Sequence, residues 1–270
     1  MNYRHAFHAG NFADCMKHAL LLELLRAMQR KPKPFLVLDT HAGIGRYDLS
    51  SGPAEKTGEW RDGIARVLAA NDPALADYTM LIERLGLYPG SPAIIAAMLR
   101  EKDRLIACEL HPEDAGSLKR EFAGTPGMAV HARDGYAALR AFLPPPERRA
   151  LVLIDPPFER PDEFGTLAEH LIAAHEKFKT GVYAAWYPIK HRAPVRAFAE
   201  TLQLRKVRDV ISVELLRRPP TDPTRLNGCG LAIINPPYGF AEAAAPMLAA
   251  LTEILGEAGH ASAIERWADE

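Results

Sequence analysis

Asp155, Pro156, Pro157 and Phe158 close the apolar run LVLIDPPF, and a near copy, LAIINPPY, closes on Asn235, Pro236, Pro237 and Tyr238. An acid or amide followed by two prolines and an aromatic ring is suited to gripping the exocyclic amine of a nucleobase. Such an amine is a poor nucleophile, because its lone pair is delocalised into the ring. Hydrogen bonds donated by its N–H groups to the Asp155 carboxylate and the Pro156 carbonyl would favour pyramidalisation and aim the lone pair at an electrophilic carbon. Phe158 would stack on the base, a contact worth about 1–3 kcal/mol. Orienting the two reactants supplies much of the acceleration in such a site, and Asp155 could accept the departing proton. Only one copy is expected to act, and the elements that carry the two decide which.

FLVLDT (35–40), RLIACEL (104–110), MAVHA (128–132), ALVLID (150–155) and GVYAAWYP (181–188) are β-rich and nearly continuously apolar. Amphipathic stretches such as PEDAGSLKREF, DGYAALRAFL and DEFGTLAEHLIAAHEKF lie between them. That alternation predicts a parallel sheet covered by helices on both faces. RDVISVELL (208–216) and GLAIIN (230–235) are joined instead by a Pro-, Asp- and Gly-rich loop, which predicts an antiparallel pair. With that hairpin inserted beside the fifth strand, Asn235 leaves the sheet at the edge opposite Asp155. A strand spans roughly 17–20 Å, too far for both motifs to reach one reacting carbon. Asp155 is therefore the expected catalytic copy, and the Pro-Pro after Asn235 reads as a stop after a buried strand.

Five parallel strands and a terminal hairpin, seven strands with the last antiparallel, form the chain order of the class I S-adenosylmethionine-dependent methyltransferase fold. This is a Rossmann-like α/β architecture. Three further features fall at its strand ends. Asp39, Gly43 and Gly45 in LDTHAGIGRY make a glycine turn that lets backbone approach a ligand. Glu109 ends the second strand, where doubly wound folds place a carboxylate on a ribose. Asp134 and Gly135 follow the third, where enzymes of this class meet the cofactor adenine. Each feature alone is weak, since strand ends often carry glycine and surfaces carry carboxylates. Together with Asp155 they form a specific set.

Two additions flank this frame. Asn11 and Asp14 look like an N-cap pair opening a helix to about Arg30, with the stripe Leu21, Leu24, Met28. Residues 46–90 interrupt the first crossover with two helical patterns, Trp60/Ile64/Val67/Leu68 and Leu75/Tyr78/Ile82/Leu85. We expect a helical insertion there, within a methyltransferase domain made of 1–45 and 91–270. The delayed crossover helix is expected to start with Ser91 as N-cap and Pro92 at the first helical position.

A net charge of −1 excludes a polybasic binder, although a local stripe can still track phosphates. KHRAPVR (190–196), LRKVR and LLRRPP are the local basic clusters, and each taken singly reads as a solvated face. Cys15, Cys108 and Cys229 lack metal-ligand spacing and read as buried thiols. No metal is expected. The absence of a signal segment and of a bilayer-length apolar run points to a cytoplasmic protein.

YRHAFHAGNFADCMKH, LDTHAGIGRY, KTGEWRDGIAR, YPGSP, ELHP, LVLIDPPFE, YAAWYP and INPPY together closely resemble the bacterial large-subunit (23S) ribosomal RNA adenine-N6 methyltransferases of the RlmJ type. The first stretch is the most specific, because ordinary methyltransferases have no such N-terminal segment. The resemblance implies S-adenosyl-L-methionine as cofactor, with contacts at His18, His41, Ser91, Glu109, Asp134, Gly135 and Asp155. It implies monomeric action on protein-free or precursor ribosomal RNA, with no obligate protein partner, and a contact between Tyr3 and the RNA. Phe158 in place of tyrosine keeps the aromatic face and loses only a hydroxyl. Lys17 continues an apolar stripe beside Tyr3, Arg4 and His5, so Tyr3, His5 and Lys17 are taken together as RNA contacts. The N-terminal segment is expected to form a lid over the cofactor.

Three other readings compete. A DNA adenine-N6 methyltransferase shares the chemistry but usually carries a sizeable recognition domain. A nicotinamide dehydrogenase would use the glycine turn and Glu109, yet it needs a G-x-G-x-x-G spacing absent here and has no use for DPPF. A non-catalytic RNA-binding module would not require all four strand-end features.

Overall fold

The first long element is helix α1 (Phe12–Gln29), which leads into strand β1 (Leu36–Asp39) of a computed structural model describing residues 4–50 and 52–269. The insertion follows: β2 (Arg46–Tyr47), α2 (Gly52–Thr57), α3 (Ile64–Ala70), α4 (Ala76–Leu85) and β3 (Tyr88–Pro89). Then come α5 (Ser91–Met98), β4 (Arg104–Glu109), α6 (Pro112–Glu121), β5 (Met128–Ala132), α7 (Gly135–Phe142) and β6 (Ala150–Ile154). They are followed by α8 (Glu163–Lys177), β7 (Val182–Ile189) and α9 (Arg192–Leu204). The chain continues through β8 (Val210–Leu216), β9 (Gly228–Ile234), α10 (Phe240–Leu255) and β10 (Ala261–Ala268).

The main sheet runs β10-β8-β9-β7-β6-β1-β4-β5. Strands β5, β4, β1, β6 and β7 are parallel, as continuous apolar runs between helices require, and β9 runs against β7 and β8. This is the class I methyltransferase arrangement with one correction: the sheet has eight strands, not seven. The extra strand, β10, lies antiparallel on the outer side of β8. Its sequence, ASAIERWA, carries Glu265 and Arg266 in place of an apolar run, as edge strands commonly do. A bulge between Arg266 and Ala268 frees Trp267, whose ring lies 5.8 Å from that of Tyr187.

Alternation along the strands divides the core in two. Val37, Leu105, Leu151 and Leu153 face α1, α10 and the insertion, whereas Leu38, Ile106, Val152 and Ile154 face α7, α8 and α9. Helix α1 is wetted on almost no side: the expected stripe is buried, and so are Cys15, Met16, Leu20, Leu22 and Leu25. Each such leucine contributes roughly 1.5–3 kcal/mol of burial. Its N-terminus is capped by Asn11, whose side chain accepts from the Asp14 N–H at 3.0 Å. Helix α10, which carries Pro246 and was not anticipated, packs against α1. Ile64, Val67, Leu75, Tyr78 and Ile82 of the insertion join the same core cluster as α1. The two ends of the insertion are clamped by pairing of β2 with β3 and by the Gly90 N–H donating to the Gly45 carbonyl at 2.8 Å.

Candidate active site

Open parallel sheets bind ligands beyond the carboxyl ends of their strands. Here that edge carries Asp39 after three apolar residues of β1, Glu109 at the end of β4, and Asp155 directly after β6. The turn after β1 needs glycine at 43: its φ is +62°, and a Cβ there would lie 2.2 Å from the Tyr47 hydroxyl. With no side chain in the way, the Gly43 N–H donates to Glu109 Oε2 at 2.9 Å, and the His111 N–H donates to Oε1 at 2.7 Å. Two backbone donors thus orient the Glu109 carboxylate.

A cavity of about 520 Å³ opens over this edge, within the range of small-ligand sites. Five of the seven expected cofactor positions line it: His18, His41, Ser91, Glu109 and Asp155. Pro156 and Phe158 line it too, as do His5 and Lys17, whereas Tyr3 lies outside the described residues. Asp134 and Gly135 are not in the wall. Asp134 is exposed and caps α7, accepting from the Ala137 N–H at 2.8 Å. Gly135 is buried where a Cβ would lie 2.4 Å from the Thr40 carbonyl, so its bareness lets α7 sit close behind His41.

Lys17 does not face outward to a phosphate. It is 4% exposed, and its ammonium binds Asp155 Oδ2 at 2.6 Å and Asp14 Oδ1 at 2.9 Å. Burial opposes its charge, but Asp14 and Asp155 hold its pKa well above the ordinary value, so it remains an ammonium. Asp14 is the hub. It also accepts from the Gly10 N–H at 3.0 Å and pairs with His5 Nε2 at 2.9 Å. Burial pushes its pKa up, yet His5, Lys17 and His18 carry it well below the usual carboxylate range. Nothing in the sequence pattern flagged Asp14 as more than a helix-capping residue.

Two neutral imidazoles complete the wall. Burial lowers the His18 pKa to about 3, its Nδ1 bonds the Tyr88 hydroxyl at 3.0 Å, and its buried Nε2 has no hydrogen-bond partner among the described residues, the nearest carboxylate oxygen being Asp14 Oδ1 at 3.9 Å. Burial likewise lowers His41 to about 4. The Thr40 hydroxyl donates to the Leu153 carbonyl at 3.0 Å, so its 2.7 Å bond to His41 Nδ1 must be donated by the ring. His41 Nε2 is then an acceptor. Ser91 is not the expected N-cap; Gly90 holds that position, and Ser91 is the first helical residue. Its hydroxyl donates instead to Asp39 Oδ2 at 2.7 Å, because a fully buried acid needs a donor more than the helix end does. Burial, and next the charge of Asp155 acting against the Ser91 bond, raise the Asp39 pKa to about 7.

The two proline motifs separate as topology requires. Ile154 pairs with Ala185 and Ile234 with Tyr183, on strands of opposite direction, so Asp155 and Asn235 leave by opposite edges. Asn235 Nδ2 donates to the carbonyls of Lys179 at 2.8 Å and Gly181 at 2.7 Å, tying down the turn before β7. Phe158 adopts φ +49°, a left-handed conformation that costs a bulky residue about 1–3 kcal/mol. Its ring rests edge-on against Phe164 at 4.9 Å and Trp186 at 5.8 Å.

Residues 32–268 match the family described as "Ribosomal RNA large subunit methyltransferase D, RlmJ". This chain belongs to that family. It is 37% identical to the Ribosomal RNA large subunit methyltransferase J of Haemophilus influenzae, over 99% of this chain and 98% of that one. The protein of the same name from Escherichia coli K12 is 38% identical, with the same coverage. A crystal structure of a Legionella pneumophila protein superposes with a TM-score of 0.88 at 35% identity, covering 96% of this chain and 98% of that one. The RlmJ-family match begins after α1, the helix that brings Asp14, Lys17 and His18 to the cavity. Beyond the residues anticipated, this RlmJ-family site includes Asp14, Trp186, Lys190 and Arg217. Trp186 stood in the YAAWYP stretch and Lys190 in a basic cluster, so both were visible without their position being so.

Proposed function

We propose that this chain transfers a methyl group from S-adenosyl-L-methionine to the N6 amine of a specific adenine in large-subunit ribosomal RNA, acting as a cytoplasmic monomer on protein-free or precursor RNA. The carrying observation is Asp155-Pro156-Pro157-Phe158 at the mouth of one cavity, with the Asp155 carboxylate held by Lys17 at 2.6 Å. Lys17 fixes the carboxylate's direction. Among the described residues it is the only hydrogen-bond partner of that side chain, which leaves Oδ1 available to accept from an exocyclic amine. The Pro156 carbonyl would accept the second N–H, and Phe158 would stack on the base. Asp155 would then receive the proton that leaves the methylated nitrogen.

The donor set suits the cofactor. Glu109, preset by two backbone N–H groups, would hold the ribose hydroxyls, and His18 Nε2, which makes no hydrogen bond among the described residues, His41 and Ser91 offer polar contacts in the same wall. Asp134 and Gly135, which lie outside the cavity wall, would approach the adenine end. When bound, S-adenosyl-L-methionine supplies an electrophilic methyl group. His5, and Tyr3 outside the described residues, would meet the RNA, while Lys17 acts through Asp155 rather than on a phosphate. Arg4, paired with Asp114 at 3.1 Å, and Thr57, bonded to the Phe7 carbonyl, tether the N-terminal segment, which would serve as a lid over the cofactor.

The test is transfer of labelled methyl groups to protein-free large-subunit ribosomal RNA, followed by digestion and mass mapping. N6-methyladenosine at one position is expected, lost by about 100-fold or more in Asp155→Ala. Methylation of duplex DNA but not of this RNA would overturn the reading.

A further inference from the structure

Three cations line the cavity: Lys17, Arg217 and Lys190. Two are engaged. Lys17 lies between Asp14 and Asp155, and Arg217 lies 3.1 Å from Glu257 and 3.7 Å from Asp62. The neighbouring guanidiniums are engaged too, Arg192 by Glu214 and Arg218 by Glu257. Lys190 is exposed, and among the described residues its ammonium has no carboxylate or hydrogen-bond partner.

The sheet puts that ammonium in a particular place. Strand β6 stops at Ile154, opposite Ala185, but β7 continues to Ile189, where Gly228 of β9 pairs with it and with Leu216 of β8. Three strands therefore overshoot Asp155 and build a wall beside Phe158. The Asn227 N–H donates to the Ile189 carbonyl at 3.0 Å and its Nδ2 to the Lys190 carbonyl at 2.9 Å, so the lip of the wall is fixed by backbone contacts. Asp155 is level with Trp186, and at about 3.3 Å per residue Lys190 stands roughly 13 Å further out. A nucleotide whose amine reaches Asp155 has its phosphate on that outward side, within the sweep of a flexible lysine stem. Of the carboxylates that line the cavity, Asp14 and Asp155 are paired with Lys17, Asp62 with Arg217 and Glu59 with His8, and Glu109 and Asp114 complete the set.

We infer that Lys190 anchors a backbone phosphate flanking the target adenosine, on the outer lip of the β7–β9 wall. This rests on the RNA reading above. A phosphate contact positions the strand and carries no sequence information. It should therefore appear in affinity and salt dependence rather than in turnover.

The experiment uses the full chain and the ribosomal RNA fragment that the wild type methylates, prepared also with single methylphosphonates at each phosphate near the target. Lys190→Ala is expected to weaken binding about four-fold at ~0.15 M salt and to flatten the log–log salt slope by about 0.7, the single-strand value for one phosphate. Saturated turnover should stay within about two-fold, and Lys190→Arg should restore affinity. On the RNA neutralised at the flanking phosphate, Lys190→Ala should have no further effect. Unchanged affinity and slope, or an equal loss on every neutralised RNA, would overturn the assignment. A wild-type chain that methylates no RNA would instead sink the functional reading itself.

Discussion

Replacing Asp39 by asparagine tests whether a buried acid at the foot of the glycine turn carries a proton. Asp39 is fully buried, its Oδ1 has no partner among the described residues, and burial, then Asp155, raises its pKa from 3.8 to about 7. Below 3.8 the folded and unfolded chains both hold the proton, and the group imposes no penalty. Between 3.8 and about 7 the unfolded chain releases it while the folded chain retains it, so stability is lost as pH rises. Above that window the accumulated loss is about 4 kcal/mol, at 1.36 kcal/mol per pH unit. Asparagine cannot ionise, and its amide oxygen can still accept from Ser91. The advantage of Asp39→Asn over wild type should therefore grow by about 3 kcal/mol between about pH 5 and about pH 8. Urea unfolding followed by tryptophan fluorescence at both pH values measures it. Comparing variant with wild type at each pH cancels the opposite trend from His18 and His41, whose depressed pKa values remove stability as pH falls below 6.5. Wild type and variant changing in parallel across that range would show that Asp39 is ionised in the fold, and the reasoning would fail.

Lys17→Met should lower unfolding free energy by about 3–5 kcal/mol, because it strands the buried Asp14 beside the half-buried Asp155 without their shared cation, and denaturant titration would read the loss. Phe158→Ala should reduce kcat/KM for RNA methylation by about 5- to 150-fold, the equivalent of one lost stacking contact, while Phe158→Tyr stays near wild type in the same assay. Asn235→Ala should cost about 1–3 kcal/mol of stability by leaving two turn carbonyls without their donor. Methyl transfer per folded molecule should nevertheless be unchanged when measured well below its melting temperature.

Much of the frame was legible because burial on both faces writes itself as uninterrupted apolar runs: β1, β4, β6 and β7 are such runs, and the loop before β9 announced a reversal. Strand β10 was not, since an edge strand tolerates Glu265 and Arg266. Helix α10 was obscured by its alanines and Pro246. At the site, residues tied to a strand end, such as Glu109 and Asp155, could be placed by counting. The pairing of Lys17 with Asp155 could not, because it depends on how α1 docks across the sheet, and side chains 138 positions apart leave no local pattern. Ser91 misled for a related reason: a helix-start signature says nothing about a buried acid arriving from another strand.

Helix α1 lies clasped between the sheet and α10, and the same rod delivers the ammonium that aims Asp155. Its axial setting is therefore a calibration. At about 1.5 Å per residue, a slip of one position would carry that nitrogen out of bonding range. Loosening the clasp far from the opening, for instance at Leu251, would detune catalysis before the molecule came apart.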